Sequence, residues 1–382
     1  MSFKKYDKII FFPSVYWSHN WERQHELIYR ITASVQRKVL IMQPLGLINY
    51  SLWNIVGKIF IKLKERSTFE NSENPKLNNM VFGQLNYIPF HFIKSIDLVN
   101  FFFLKMKLKI KRNTKVFYWF TYVNGFTIKL ISKNSFSVID LAARRQVMNL
   151  ISKRAKETER IAVENANIVF VDNYNTYLDY KDLNNQIYYV PQGVGIEMFT
   201  KPEPIDYLIK FKKEGKKIVG YCGALHASIN YELLRTVIQA LPDYIFLFVG
   251  NIVDKKSSIL THFDNVLFLG RKDKRELVNY YHIFDVGLIP YELTPFTSGV
   301  FPTKLFEYAA CEVPIISSAL PDILQYEKPF LKIYKTSEEM INYIKDLSQK
   351  KVIFRKDLIS FAQDNTWEKR FNFIQSKIDE VQ

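Results

Sequence analysis

Cysteine is scarce in this 382-residue chain: Cys222 and Cys311 each sit in an apolar stretch, and neither belongs to a CxxC or Cys/His spacing. That argues against a disulfide framework or a zinc site and fits a reducing cytoplasm. Long apolar runs are lacking too. Nowhere do about 18 uncharged apolar residues follow one another, and the opening MSFKKYDKIIFFP has no small-residue cleavage site behind a long apolar core. Neither a transmembrane helix nor a signal peptide is expected, which leaves a soluble or peripheral protein. There is no D-x-D pair, so a carboxylate pair holding a divalent cation is not indicated, and no short-period repeat is visible. RNP, KH and helix-turn-helix patterns are absent as well, which leaves a nucleic-acid reading without a motif.

What is present is apolar and basic. With 48% hydrophobic and 15% aromatic residues the chain is far from a disordered composition, and its length exceeds what one core usually supports, so two domains are expected. The net charge of +15 is uneven, because residues 1–112 hold 18 Lys/Arg against 7 Asp/Glu. Such asymmetry marks an anionic partner, whether nucleic acid, acidic lipid or a phosphorylated substrate.

Hydrophobic patterning gives the organisation. An apolar strand at Ile9–Phe12 precedes a helix from about Trp21 to Ser34, with Leu27, Ile28 and Ile31 at helical spacing, and then the strand KVLIMQP. Similar runs return at 115–120, 137–139 and 168–171, the pattern of a parallel sheet covered by helices. In residues 45–66 and 85–112, Trp53, Phe60, Phe92, Ile96 and Phe101 to Phe103 interleave with many lysines. These stretches suit an anionic membrane surface, with apolar groups in the interface and lysines on the head groups. The alternative is amphipathic helices whose apolar side is core. YYVPQGVGIEMF, residues 188–199, marks a boundary. Beyond it strands are predicted at 217–222, 244–249, 265–269, 285–289 and 314–317, with helices from about Asn230, from about Lys274 and over Thr303–Ala310, a Rossmann-like alternation. Trp367, Phe371, Ile374 and Ile378 predict a final amphipathic helix over 366–381.

Ligands of such sheets bind beyond the carboxyl ends of strands, which directs attention to the loops after Tyr221, Leu269 and Ile289. In YCGALHASIN, Gly223 lies between a strand and a helix, where a phosphate could meet helix N–H groups, although a left-handed turn would equally need glycine. In PTKLFEYAACEVPIIS, Pro302 and Thr303 suit a helix start, Lys304 sits in the first turn and Glu307 lies three residues on. A lysine there can neutralise a diphosphate and the carboxylate can accept from both hydroxyls of a ribose, but taken alone the two residues make an ordinary surface pair.

Taken in context, this segment resembles the donor-binding helix of GT-B glycosyltransferases, S-P-x-K-x-x-E-Y-x-A-x-G-x-P-V-I, with Lys304, Glu307, Tyr308, Ala310 and Pro314 matching and Cys311 and Glu312 replacing a small residue and a glycine. The donor domain looks like that of glycosyltransferase family 4. Trp21, Arg23, Gln24 and Leu27 resemble the opening of the acceptor domain in a subgroup containing teichuronic acid glycosyltransferases and, more distantly, the glucuronosyltransferase of xanthan assembly. The resemblance implies an α/β GT-B fold: an acceptor-binding Rossmann-like domain over 1–195, a nucleotide-sugar-binding one over 196–362, a central cleft, and a C-terminal helix, 363–382, crossing back to the first domain.

It further implies that Lys304 contacts the diphosphate, Glu307 the ribose, Tyr291 and Thr303 the nucleotide or sugar, and backbone near Arg271 and Lys272 the base. For catalysis it points to Asp140, in FSVIDLAARR, as the carboxylate that takes the acceptor proton; as a residue preceding Leu141 it would otherwise be a helix N-cap. His19 and Glu22, in or just after the loop that follows the first strand, are the other candidates, with the histidine open to an incidental reading. Where many retaining members carry a second glutamate eight residues before Glu307, this chain has Gly299, which leans toward inversion. The expected reaction moves a sugar from a nucleotide-sugar, UDP first, to a lipid-linked acceptor at the cytoplasmic face of a bacterial membrane, in polysaccharide or cell-surface glycan synthesis. No metal or other cofactor and no nucleic-acid partner are expected. A sugar-nucleotide epimerase or phosphorylase of the same fold is the alternative, and a basic nucleic-acid-binding protein the reading from another class.

Overall fold

A computed structural model of the chain describes residues 3–17, 21–44, 76–85, 87–88 and 94–382. The chain divides into two compact units, one formed by residues 1–172, 176–190 and 371–382, the other by 173–175 and 191–370. Each is built on one wholly parallel sheet.

In the first unit the strands are β1 (Lys8–Phe12), β2 (Val39–Gln43), β3 (Met80–Gln84), β4 (Val116–Phe120), β5 (Ser135–Leu141), β6 (Ile168–Val171) and β7 (Ile187–Tyr189), in the order β3-β2-β1-β4-β5-β6-β7. The central strand β4, VFYWF, is buried at every position, as expected of a strand covered on both faces. It pairs with β1 from Lys8↔Val116 to Phe12↔Phe120. The helix Arg23–Ala33 follows β1 and buries Leu27, Ile28 and Ile31.

The helix Lys94–Lys107 departs from the usual amphipathic arrangement. Asp97, Asn100 and Leu104 are buried, whereas Leu98, Val99, Phe102, Phe103 and Met106 are exposed, Phe102 at 61%. Its polar residues turn inward because each finds a partner. Asn100 accepts from Ile88 N at 2.7 Å and donates to Ile88 O at 3.1 Å, and Asp97 pairs with Arg154. Over this helix the core-facing alternative for residues 85–112 holds for Leu104, with Phe101 packed against the same core, while Leu98, Val99, Phe102, Phe103 and Met106 meet solvent. Residues 45–66 and Phe92 lie outside the described residues.

The second unit repeats the plan with β8 (Lys217–Cys222), β9 (Tyr244–Val249), β10 (Val266–Phe268), β11 (Val286–Ile289), β12 (Ile315–Ser318) and β13 (Leu331–Tyr334), ordered β10-β9-β8-β11-β12-β13. The helix Tyr231–Ala240 is capped by Asn230, whose side chain accepts from Leu233 N at 3.0 Å. In both sheets the strand order reverses direction once, between β1 and β4 and between β8 and β11. That reversal opens the crevice in which doubly wound sheets bind ligands.

The last helix, Trp367–Val381, starts on the second unit and ends in the first, where Ile374 and Ile378 are fully buried. Trp367 N donates to Val194 O at 3.2 Å, and a Cβ on Gly193 would come within 2.9 Å of the Trp367 backbone, so only glycine fits there. Among the described residues no helix is long and apolar enough to cross a membrane.

Candidate functional site

At the reversal point of the second unit, β8 ends on Cys222 and passes to Gly223, while β11 ends on Ile289 and passes through Pro290 to Tyr291. The two loops are tied together, Asn230 N donating to Pro290 O at 2.9 Å and Glu292 N to Ser228 O at 2.7 Å. Between them stands the helix Lys304–Ala310. Its placement depends on Tyr308, buried and hydrogen-bonded through its hydroxyl to Leu288 O at 3.0 Å. Gly287 permits this, since a Cβ there would lie 2.7 Å from the Tyr308 ring.

Lys304 opens the helix and reaches across both loops. Its Nζ donates to the Tyr291 hydroxyl at 3.2 Å and lies 5.1 Å from the centre of the Tyr221 ring and 5.8 Å from that of Tyr291. Among the described residues no carboxylate lies within ion-pair distance of it. Burial alone would lower the Lys304 pKa, but Tyr291 and the charge of Glu307 more than offset that, and the amine is held above its ordinary value as a cation. Gly223 has φ +146°, and a Cβ on it would sit 2.8 Å from Lys304 Cε and Nζ. The glycine thus serves the approach of the lysine stem. The helix that follows begins at Tyr231, where the sequence placed it, with Asn230, seven residues beyond Gly223, as its cap. Gly250 and Gly270 complete the floor: a Cβ on Gly250 would collide with Gly223 O, and Gly250 N donates to Gly270 O at 2.8 Å.

One helical turn on, Glu307 accepts a 2.6 Å hydrogen bond from Tyr281, a buried residue of the helix Leu277–Ile283. Thr303 is the exposed N-cap residue of the lysine's helix, without a side-chain cap bond. The His226 ring lies 5.7 Å from that of Tyr291, tilted by 47°, and accepts from Ser228 N through Nδ1 at 3.1 Å. Burial and the nearby Lys304 charge push its pKa down, so it adds no second cation at neutral pH. Gly223, Tyr291, Lys304 and Glu307 are accordingly brought together. Arg271 and Lys272 follow β10 on the same edge, Arg271 exposed and Lys272 Nζ 5.7 Å from the Tyr280 ring centre. Tyr221, Tyr281, His226 and Gly250 were not singled out from sequence. A tyrosine closing the apolar run before Gly223 was the one signal available.

In the first unit, the residues that carried the acceptor-domain resemblance organise the reversal point there. Trp21 Nε1 donates to Glu26 at 2.6 Å, and Gln24 Oε1 receives Ser14 N at 2.8 Å and the Thr121 hydroxyl at 3.0 Å, joining the loops after β1 and β4. Arg23 is buried against Asp140: Nε donates to Oδ1 at 2.9 Å, Nη2 lies 2.9 Å from the same oxygen, and Nη1 donates to Val190 O at 2.8 Å. Burial pushes the Asp140 carboxyl above its ordinary range and Arg23 offsets part of that rise.

One expectation for Asp140 is corrected here. It lies inside β5, paired with Phe170 of β6, and so is no helix N-cap. Its carboxylate is 1% exposed, with Oδ1 on the Arg23 guanidinium. Glu22 is the exposed residue that caps the helix Arg23–Ala33, its N–H donating to His25 Nδ1 at 3.0 Å and one carboxylate oxygen accepting from Gln24 at 3.1 Å. His19 lies outside the described residues. Among the described residues no cluster of three or more His, Cys, Asp or Glu is arranged to hold a metal.

Residues 208–364 match the family described as Glycosyl transferases group 1. TuaH of Bacillus subtilis (strain 168), whose name assigns it to teichuronic acid biosynthesis as a glycosyltransferase, is 29% identical over 164 residues, 42% of this chain and 41% of its own. The chain thus spans about two fifths of the length of that curated relative. Among solved structures, Anabaena Alr3699/HepE in complex with UDP and glucose is similar with a TM-score of 0.63 at 12% identity, over 98% of this chain and 99% of that one. A glycosyltransferase from Rickettsia africae ESF-5 is similar at 0.63 and 13%, over 98% and 99%. A trehalose-6-phosphate structure from E. coli bound with UDP-2-fluoro glucose is similar at 0.63 and 9%, over 97% and 98%. At these identities the structural likeness establishes the fold, which is GT-B.

Proposed function

Because residues 208–364 carry a group 1 glycosyltransferase domain on a GT-B frame, we propose that the protein transfers a sugar from a nucleotide-sugar to an acceptor in polysaccharide synthesis. One observation carries this reading: a half-buried lysine without a carboxylate partner, set at a helix start beyond the carboxyl ends of β8 and β11, with a carboxylate one turn further along. A diphosphate is the anion that Lys304 lacks, and Glu307, already oriented by Tyr281, accepts from the ribose hydroxyls. Tyr291 releases the Lys304 ammonium to the phosphate and keeps its own hydroxyl for the donor. Thr303 and the backbone at Arg271 and Lys272 complete the nucleotide contacts. UDP is the first nucleotide to test, since HepE was solved with UDP.

Charge that develops on the leaving diphosphate is stabilised by Lys304 and the N-terminal N–H groups of its helix, with no metal invoked. Transfer inverts the anomeric centre. Of the carboxylates considered for removing the acceptor proton, Glu22 is open to solvent and Asp140 is not, so we assign the base to Glu22. The acceptor is lipid-linked and reached at the cytoplasmic face of the membrane. There the exposed Leu98, Phe102, Phe103 and Met106 enter the interface while Lys94, Lys105 and Lys107 meet anionic head groups.

Calorimetric titration with UDP, GDP, dTDP, CMP and ADP tests the donor site, with Glu307→Ala as control. Binding of one nucleotide, lost in the variant, is the expected result. Binding by none of them would refute the transferase reading.

A further inference from the structure

At the edge of the first sheet opposite its ligand-side loops, where β1, β4, β5 and β6 begin, lies a cavity of about 470 Å³. Four cations from three segments line it: Lys5 ahead of β1, Arg112 and Lys115 in the turn ahead of β4, and Lys133 ahead of β5. All four are exposed, and Arg112, Lys115 and Lys133 form no ion pair among the described residues. The carboxylate nearest in sequence, Asp7, is engaged by Lys115 N at 2.7 Å, and Lys5 Nζ rests on Gln382 O at 3.0 Å. The volume equals a cube about 8 Å on a side, close to the screening length at physiological ionic strength. The four potentials therefore add inside the cavity.

We propose that this cavity binds a phosphate-bearing anion. A multiply charged group with several acceptor oxygens answers cations that line one cavity from three segments, and phosphate does so with charge-assisted hydrogen bonds. Its place in the fold suggests a source. The cavity follows directly on the helix whose exposed face carries Leu98, Phe102 and Met106, and Lys8 Nζ fixes the end of that helix by donating to Leu108 O and Lys109 O, at 2.6 and 3.1 Å. A lipid phosphate is one source; a soluble phosphorylated compound is the other source of the same chemistry.

The test is kept independent of the donor site by using Lys304→Ala protein, in which that site has lost its cation. Inorganic phosphate is titrated calorimetrically into it and into the same protein carrying Arg112→Glu and Lys133→Glu, with Lys210→Glu and Lys213→Glu as an equally charged control. The cavity variant is expected to bind phosphate at least about tenfold more weakly than the control. Equal affinity in the two, or no phosphate site in Lys304→Ala itself, would overturn the proposal whether or not the protein binds nucleotides. Arg112→Gln with Lys133→Gln checks that lost charge, not a misfolded edge, is responsible: a smaller loss of the same sign is expected, and none would count against the site. Sedimentation with phosphatidylglycerol vesicles against phosphatidylcholine vesicles then fixes the source. A loss of binding to the anionic vesicles in the cavity variant but not the control supports the lipid head group, and unchanged vesicle binding with lost phosphate binding supports a soluble ligand.

Discussion

Asp140→Asn separates structure from chemistry in the first unit. The carboxylate and Arg23 are 1% and 2% exposed at the side chain and joined at 2.9 Å, while Arg23 also holds Val190 O at 2.8 Å. An asparagine preserves shape and can still accept a hydrogen bond, but it removes the negative charge, and the guanidinium cannot deprotonate to compensate. Breaking a buried pair from one side costs about 3–5 kcal/mol. Against a total stability of roughly 5–15 kcal/mol this is a large fraction. For a compact unit of about 200 residues, where each kcal/mol shifts the melting temperature by about 2–4 °C, the loss amounts to roughly 6–20 °C. Circular dichroism melts of the wild type, Asp140→Asn and the double variant Arg23→Met with Asp140→Leu measure it. Removing both charges together is near neutral, so the double variant should recover most of the stability that the single one loses. An Asp140→Asn protein that melts with the wild type, yet has lost turnover, would refute the structural role and return the residue to catalysis.

Tyr281→Phe removes the 2.6 Å hydrogen bond that orients Glu307, and donor affinity by calorimetry should fall about tenfold with the fold unchanged; an unaltered Kd would show that Glu307 needs no such support. Glu22→Gln should lower kcat by about 100-fold or more while leaving the nucleotide Kd as it was, and full turnover would remove Glu22 from proton transfer. Phe102→Ser with Phe103→Ser should reduce sedimentation with anionic vesicles without changing nucleotide binding, whereas vesicle binding equal to wild type would assign that helix face another partner. Glu312 sits at φ +60° just past the end of its helix, where glycine avoids a cost of about 1–2 kcal/mol, and its ion pair with the exposed Arg355 stabilises by at most about 1 kcal/mol. Glu312→Gly should therefore raise the melting temperature slightly, and a fall would show that the ion pair outweighs the backbone strain.

The buried strands were legible because a parallel strand covered on both faces reads as an unbroken apolar run: VFYWF, IVFV and KIVGYC each appear where sequence placed them. The edge strands β3 and β13, partly exposed and with diluted patterns, were missed. Asp140 misled because a polar residue near the end of an apolar run resembles a stop, and the partner that explains it, Arg23, lies 117 residues away. The helix Lys94–Lys107 could not be oriented from its composition, because the buried face is fixed by contacts with Ile88 and Arg154 that no periodicity encodes. Lys304 and Glu307 were visible because one short helix carries both, whereas Tyr221 and Tyr281 reach them from other elements.

The cations of the two units show why Lys304 is the one proposed to meet the donor phosphates. Arg23 is buried and fully matched by Asp140, an arrangement that binds nothing further because its charge is already satisfied. Lys212 likewise has Asp285, and Arg145 has Glu159. Lys304 has two tyrosine rings and one hydroxyl instead. Cation–π contacts stabilise by about 0.5–2 kcal/mol each, which supports a half-buried ammonium without cancelling its charge. A carboxylate within ion-pair distance would stabilise the empty site more and would compete with any incoming anion. The tyrosines hold the lysine in place without neutralising it, so the charge remains for a ligand to answer. Replacing Tyr291, at the rim of the core, by glutamate should accordingly abolish nucleotide binding measured by calorimetry, because the new carboxylate answers Lys304 in the ligand's place; nucleotide binding equal to wild type would refute this.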